Sequence, residues 1–186
     1  MKKGIFGSLG CLGFVFVGII VIVAIFATIG GSDSDSESGG KSDSSKDAEQ
    51  EFSIGDKVKV GDLEYTVNSV ENADTVGNQY VSSTADGKYM VADVTVKNNG
   101  DESITIDTNL FKLLNEGATN TADATASTNA NPSDIGFFLE QLNPSNEKTG
   151  KVVFDVSEKT AQSDKLQMEV SSGMFGTEKA KIHLSE

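Results

Sequence analysis

From residue 52 onward the chain consists of short segments in which apolar and polar residues alternate. Leu63, Tyr65 and Val67 alternate with polar neighbours, and residues 89–97 repeat the pattern with the strongest apolar face. Alternation with a period of two is typical of strands that bury one face. The pattern predicts roughly seven to nine short strands. The clearest are 57–60, 63–70, 89–97, 104–106, 110–114, 151–156, 166–170 and 182–184.

Strands of this kind, with turn residues between them and no convincing long amphipathic helix, predict an all-β domain. The turn signal at residues 98–101, Asn-Asn-Gly-Asp, is the strongest, because Asn and Gly tolerate positive φ. Two sheets with one apolar face each are buried most simply against one another. We therefore expect an antiparallel β-sandwich. The Cys…Trp…Cys core of antibody domains is absent from the sequence.

The N-terminal segment has a different pattern. Residues 4–32 carry no charged side chain, and residues 11–29 are almost purely apolar. As an α-helix, the latter would be about 28 Å long, close to the roughly 30 Å hydrocarbon thickness of a bilayer. Lys2 and Lys3 precede the run, whereas acidic residues follow it. The positive-inside rule therefore predicts a cytoplasmic tip at 1–10, a single transmembrane anchor at 11–29 and an extracellular remainder.

Two other interpretations of this segment stay open. A cleaved secretory signal would have a shorter apolar core and a cleavage site flanked by small residues, but the bulky Ile25 makes 25–27 a poor site. A lipoprotein would carry its cysteine after the apolar core, whereas Cys11 precedes most of it. We interpret Cys11 as a residue at the cytoplasmic edge of the membrane.

Residues 30–51 are mostly Ser, Gly, Asp, Glu and Lys, and they cannot bury enough apolar surface to fold. We expect a disordered acidic linker. Its Asp33-x-Asp35-x-Glu37 run lacks the glycine turn and the distal glutamate of a calcium loop, so we interpret it as a tether. Residues 52–186 then form the extracytoplasmic domain, which is long enough to bury its own core.

Charge and cysteine content narrow the function. The formal net charge is −13, and a surface of this sign repels nucleic acid, so we expect no nucleic-acid partner. Cys11 is the only cysteine, and the exported part can therefore contain no disulfide.

One long polar stretch is the predicted recognition site. Residues 118–134 are rich in Thr, Asn, Ala and Ser, and we expect them to form a mobile loop. Sandwich domains concentrate their function in loops. The candidate residues are Asn120, Thr121, Asp123, Asn129, Asp134, Phe137 and Phe138. The alternative is that both phenylalanines belong to the core and that the loop is an idle insertion.

The sequence contains no recognisable catalytic set. His183 is the only histidine, nothing in its local sequence suggests a serine placed against it with a carboxylate behind it, and the chain has no glycine-flanked nucleophile elbow. One histidine without an exported cysteine does not suit a zinc site. We therefore expect no catalysis, no cofactor and no metal.

Several segments resemble the bacterial family called domain of unknown function 4352. They are residues 63–70, 89–102, 111–113, 142–144 and 150–156, and the resemblance covers residues 52–186. It implies an immunoglobulin-like sandwich similar to that of the mycobacterial immunoprotective extracellular antigen. It also implies a lipoprotein or membrane-anchored protein at a Gram-positive surface. Ser145 and Ser157 depart from residues that the family often has, Gly and Pro.

These observations predict a non-enzymatic module of the bacterial cell surface. It would be anchored in the cell membrane by its N-terminal helix and would bind an unknown protein, peptide or envelope component. One alternative is an accessory or sensory subunit whose membrane helix pairs with another through Gly10, Gly13 and Gly18. The other alternative is a cleaved, secreted protein.

Overall fold

The computed structural model describes residues 51–131, 137–173 and 178–185. The predicted tip, the predicted anchor and all of the predicted linker except Glu51 lie outside these ranges. Within the described residues, no helix is both long and apolar enough to cross a bilayer.

The described residues form eleven strands, two short α-helices and one 3-10 helix at Thr108–Leu110. In chain order the strands and α-helices are β1 (Phe52–Ser53), β2 (Val58–Val60), β3 (Leu63–Gly77), β4 (Ser82–Asn98), β5 (Ile104–Thr105), β6 (Phe111–Asn115), β7 (Ala118–Thr121), α1 (Ala124–Ala130), β8 (Gln141–Leu142), β9 (Glu147–Val156), α2 (Glu158–Ala161), β10 (Gln167–Ser171) and β11 (Lys179–His183).

Two sheets face each other and enclose the core. One has the strand order β1-β11-β10-β6-β7, the other has the order β2-β3-β4-β9, and β5 pairs with β8 in a small separate ladder. All strand pairs are antiparallel except β1 with β11. The β-sandwich predicted from the alternation is therefore confirmed, and the core lies between the two sheets.

The alternating residues bury the face that the pattern predicts. Tyr65, Met90, Phe111, Phe154 and Met168 are fully buried between the sheets. The rings of Tyr65 and Phe111 meet edge to face at 5.9 Å between centroids, the geometry that aromatic quadrupoles favour. Because each strand supplies every second residue to this core, a register slip by one residue would expose it.

The prediction of a long loop at 118–134 is wrong for residues 118–130. Ala118–Thr121 form β7, which pairs with β6 across a tight turn whose residues Glu116 and Gly117 have φ values of 49° and 89°. Ala124–Ala130 form α1, with Asp123 as its N-cap. The polar composition of residues 118–130 favours a loop when the sequence is taken alone. In the structure, contacts with the rest of the fold order these residues.

The outer face of the second sheet is also partly covered. Tyr89 and Val91 of β4, together with Val153 of β9, form a second small cluster with Ala126 of α1. In the alternation of residues 89–97, Tyr89 and Val91 fall on the mixed face, which they share with Asp93, Thr95 and Lys97. They are buried because α1 packs against them from outside the sandwich.

Candidate functional site

The hairpin of β3 and β4 continues beyond its neighbour β9. The last pair between β4 and β9 is Lys88 with Val156, and we call residues 74–87 beyond it the distal hairpin. The pairing of β3 with β4 is irregular between Ala73 and Thr75, where Ala73 is opposite Tyr89 and Thr75 is opposite Thr84. Bulges of this kind re-aim a strand at functional sites.

Polar contacts hold the base of the distal hairpin. The Asp155 carboxylate accepts the backbone N–H of Asp86 at 2.8 Å and that of Gly87 at 3.2 Å. The Lys88 ammonium and the Asp74 carboxylate form an ion pair at 2.5 Å. These contacts fix the direction in which the hairpin leaves the sheet.

The tip of the distal hairpin presents two apolar side chains to solvent. Tyr80 is 85% exposed and Val81 is 53% exposed. The Asn78 side-chain oxygen accepts the backbone N–H of both residues, at 2.9 and 3.0 Å. Gly77 has φ +110°, and a Cβ there would lie 2.2 Å from the Val81 carbonyl oxygen, so only glycine fits this turn. The tip is therefore an ordered turn.

Helix α1 covers the free edge of β9. The Ser127 hydroxyl accepts the Val153 N–H at 2.9 Å, and the Asp123 N–H donates to the Val153 carbonyl at 2.8 Å. The Asn131 carboxamide accepts the Lys151 N–H and donates to the Lys151 carbonyl, both at 2.8 Å. Edge strands attract other strands through such groups. Here the side chains of Ser127 and Asn131 and the backbone N–H of Asp123 bond to the N–H and C=O groups of Lys151 and Val153 that would otherwise be open.

The same helix supports the distal hairpin. The Asn129 carboxamide donates to the Ser83 hydroxyl at 2.8 Å, and Val76 joins the cluster that Ala126 helps to form. Burial raises the pKa of Tyr89 in this cluster, and the carboxylates of Asp123 and neighbouring aspartates raise it further. The surroundings of Tyr89, at the base of the distal hairpin, are therefore acidic as well as partly apolar.

The predicted recognition residues separate into three groups. Asp123 and Asn129 lie on the α1 segment next to the distal hairpin, whereas Asn120 and Thr121 lie on β7. Asp134 lies outside the described residues. Phe137 and Phe138 belong to the core, as the alternative interpretation held, and their rings meet at 4.7 Å.

Phe137 is fixed especially tightly. Gly150 of β9 lies directly against its ring, because a Cβ at Gly150 would be 2.2 Å from a ring carbon. Neither phenylalanine is available at the surface for recognition.

Tyr80 and Val81 are not among the recognition residues predicted from the sequence. A signal was present: Gly77-Asn78 is a turn pair, and Tyr80-Val81 follows it without alternation on either side. The pattern does not predict that helix α1 packs against the distal hairpin and supports it beyond the end of β9.

A cleft of about 300 Å³ lies at the edge of β3, in the opening between the sheets. Its lining is mixed. The apolar residues are Ile54, Val70, Met90, Ala161, Leu166 and Leu184, and the polar residues are Asn68, Ser69, Glu71, Asn72 and Ser163. We call this feature the edge cleft.

His183 makes cross-strand contacts in the sheet that contains β1, β10 and β11. Its ring lies 3.1 Å from the Gln167 carboxamide nitrogen, and the two residues face each other in the β10–β11 pair. In the described part of the chain, no three His, Cys, Asp or Glu side chains are grouped so that they could hold a metal ion.

Comparisons with known proteins agree with this fold. An uncharacterised protein of Bacillus subtilis, YxkC, is 34% identical over 120 residues, which are 61% of this chain and 67% of that protein. The solved structure of the yjhA protein from Bacillus subtilis is similar, with a TM-score of 0.53 and 16% identity over 71% of this chain and 98% of the other.

The secreted protein MPT63 of Mycobacterium tuberculosis shares the fold, with a TM-score of 0.50 and 17% identity over 72% of this chain and 95% of the other. This likeness confirms the sandwich that the resemblance implied. The family model described as domain of unknown function DUF4352 matches residues 52–181. The chain therefore belongs to the DUF4352 family.

Proposed function

We propose that this protein is a membrane-anchored, extracytoplasmic binding module of a Gram-positive cell surface. In this proposal it captures a protein partner through the tip of the distal hairpin and catalyses no reaction. The observation that carries the proposal is the exposure of Tyr80 and Val81 on an ordered turn. Ordered, exposed tyrosines are common anchors of protein interfaces because they bury a large area at a small entropic cost.

The position of the tip supports the proposal. The chain enters the domain at β1, which runs parallel to β11. Gly61, just before β3, lies beside Glu178, just before β11, so β1, β11 and β3 run in the same sense. The Gly55 N–H donates to the Val67 carbonyl, which places the entry level with the middle of β3, and β3 continues from there to Gly77 beside the tip. A domain tethered through its N-terminus would therefore present Tyr80 away from its attachment.

Two further observations support an anchored, exported domain. Residues 11–29 have the length and composition of a transmembrane helix, and residues 30–51 have the composition of a flexible spacer. MPT63, which shares the fold, is a secreted protein. The pairing of His183 with Gln167 supports a structural role for that histidine.

Crosslinking on living cells tests the proposal. The full-length protein would carry a photoreactive residue in place of Gln79, and adducts would be identified by mass spectrometry. We expect one dominant protein adduct, reduced by about tenfold or more when Tyr80→Ser and Val81→Ser remove the two apolar anchors. The matched control is Leu139→Asn, which removes another exposed apolar side chain outside the distal hairpin.

An adduct that is unchanged by the double substitution at Tyr80 and Val81 would overturn the role of the tip. If adducts disappear only when residues 12–29 are scrambled at constant composition, the membrane segment holds the partner. That result would favour the accessory-subunit alternative.

A further inference from the structure

One side of β3 lacks a strand neighbour over most of its length. On the side away from β4, β2 pairs only with Leu63–Tyr65, and the Gly55 N–H then donates to the Val67 carbonyl at 2.8 Å. In the described part of the chain, no strand lies on this side of β3 between Ser69 and Gly77. Every second residue of such an edge directs its N–H and C=O outward, as a template for another strand.

The edge cleft lies along this unpaired stretch. The pairing of β3 with β4 shifts between Val67 and Ser69, so Asn68 is an extra residue in β3. After this bulge, Val70 and Asn72 are opposite the buried Ala92 and Met90, and both line the edge cleft, Val70 half-buried and Asn72 exposed. The Asn72 carboxamide donates to the Ala161 carbonyl at 3.0 Å, which links the edge to α2 across the cleft.

We propose that the β3 edge between Ser69 and Ala73 binds an extended, cationic peptide segment as an additional strand. Backbone hydrogen bonds to the edge would supply affinity, and one aliphatic side chain of the peptide would enter the edge cleft. This is the general mode in which a sheet edge recognises a peptide, with side-chain pockets giving selectivity. The volume of about 300 Å³ leaves room for a side chain of that kind.

Charge selects the occupant. Glu71 and Asp74 lie on the edge with side chains that are 63% and 79% exposed, and they pair with Lys151 of β9 and Lys88 of β4. The acidity that selects the occupant is that of the whole domain, whose residues 52–186 carry a net charge of −10. A second copy of this chain would bring the same carboxylates against each other, and like charges on adjacent strands are destabilising. The chain's own residues 32–51 hold seven acids and two lysines, so they are repelled as well. A segment rich in Lys or Arg fits the edge.

This inference goes beyond the proposed function, because the edge and the tip are different surfaces. Loss of the tip adduct would leave peptide binding at the edge unchanged. Loss of peptide binding would leave the tip adduct unchanged. The two proposals therefore fail separately.

The test uses the full-length chain in detergent micelles and an acetylated, amidated peptide of sequence KTKLKTK. Binding is measured by fluorescence anisotropy, and hydrogen exchange locates it. We expect slower exchange at residues 69–73. We also expect a loss of affinity of about tenfold or more when alternate peptide amides are N-methylated, because the backbone donors are then removed. The sequence ETELETE should bind about tenfold more weakly or not at all.

A pair of protein variants separates charge from location. Glu71→Lys should weaken KTKLKTK binding by several-fold, because it reverses the charge on the edge. The matched control is Glu140→Lys, which changes another exposed carboxylate paired to a lysine of β9. Equal binding of the N-methylated peptide, or protection outside 69–73, would overturn the proposal. Protection of 69–73 without peptide, together with a dimer in sedimentation, would overturn it in favour of a second copy.

Discussion

At the scale of single residues, Tyr65 does more than fill the core. Its hydroxyl donates to the Ser171 carbonyl at 2.6 Å, which joins β3 of one sheet to β10 of the other. Burial raises the pKa of Tyr65 from its ordinary value of 10.0, because the tyrosinate would lose its hydration inside the sandwich. The alternation of residues 63–67 identified this side chain as buried, but the residue that its hydroxyl meets is separated from it by more than a hundred positions.

The raised pKa of Tyr65 predicts a defined loss of stability at alkaline pH. Below pH 10 the tyrosine is protonated in both states; above it, only the unfolded chain ionises, so the free energy of unfolding falls as pH rises. The slope from this one group approaches about 1.4 kcal/mol per pH unit. Tyr65→Phe should be less stable by about 1–2 kcal/mol at pH 7 but should lack this slope.

Urea unfolding of both proteins between pH 7 and 11 measures the difference directly. Lysine ionisation is common to both chains and cancels in the subtraction. Parallel curves above pH 10 would show that Tyr65 ionises equally in the folded and unfolded states.

At the scale of elements, the α1 segment acts as a cover for an edge strand. A helix of seven residues such as α1 has little stability of its own, and its sequence of Ala, Thr, Ser and Asn lacks a broad apolar face. Its position is set by four hydrogen bonds to Lys151 and Val153, which hold the place of a missing strand neighbour. Helix α1 therefore forms because of its tertiary contacts, whereas its local sequence favours a loop.

Removing the polar side chains of this cover should release it. Ser127→Ala with Asn131→Ala is expected to lower the free energy of unfolding by about 2 kcal/mol and to expose the β9 edge. Self-association in sedimentation velocity should follow from the unpaired edge. The matched control is Thr128→Ala on the same helix, whose hydroxyl donates only to Ala124 within α1.

A stable, monomeric double variant at positions 127 and 131 would show that α1 stays in place through its apolar contacts alone. A destabilised but monomeric variant would show that the exposed β9 edge does not attract a second chain.

At the scale of the whole molecule, two kinds of sequence meet at residue 52. The N-terminal part has an apolar run and an acidic spacer, whereas the rest is a sandwich domain that belongs to a defined family. Of the total charge of −13, the domain of residues 52–186 carries −10, since its 21 acids outnumber 11 lysines. Such a domain should be repelled by an anionic surface.

The mass of the mature protein isolated from cells decides how the chain is held. We expect the full 186-residue chain in the membrane fraction after an alkaline wash, because residues 11–29 are long enough to span. A mass change after hydroxylamine would indicate an acyl chain on Cys11. A mature N-terminus near residue 30 would contradict the anchor and favour the secreted alternative.

By itself, the sequence determined the sandwich, most of its strands and the residues of its core. These follow from alternation, which depends only on nearest neighbours along a strand. The turn at 98–101 was equally local, although the full burial of Asn98, whose amide donates to the Glu102 and Leu142 carbonyls, was not foreseen.

Only the tertiary structure decided which surfaces stay open. It ordered residues 118–130 as β7 and α1, placed Phe137 against Gly150, and left Tyr80 and the β3 edge exposed. The burial or exposure of each of these groups depends on whether a segment distant in sequence packs over it. Local sequence patterns indicate which side chains are apolar and favour burial. The path of the whole chain determines which apolar side chains and which strand edges remain uncovered.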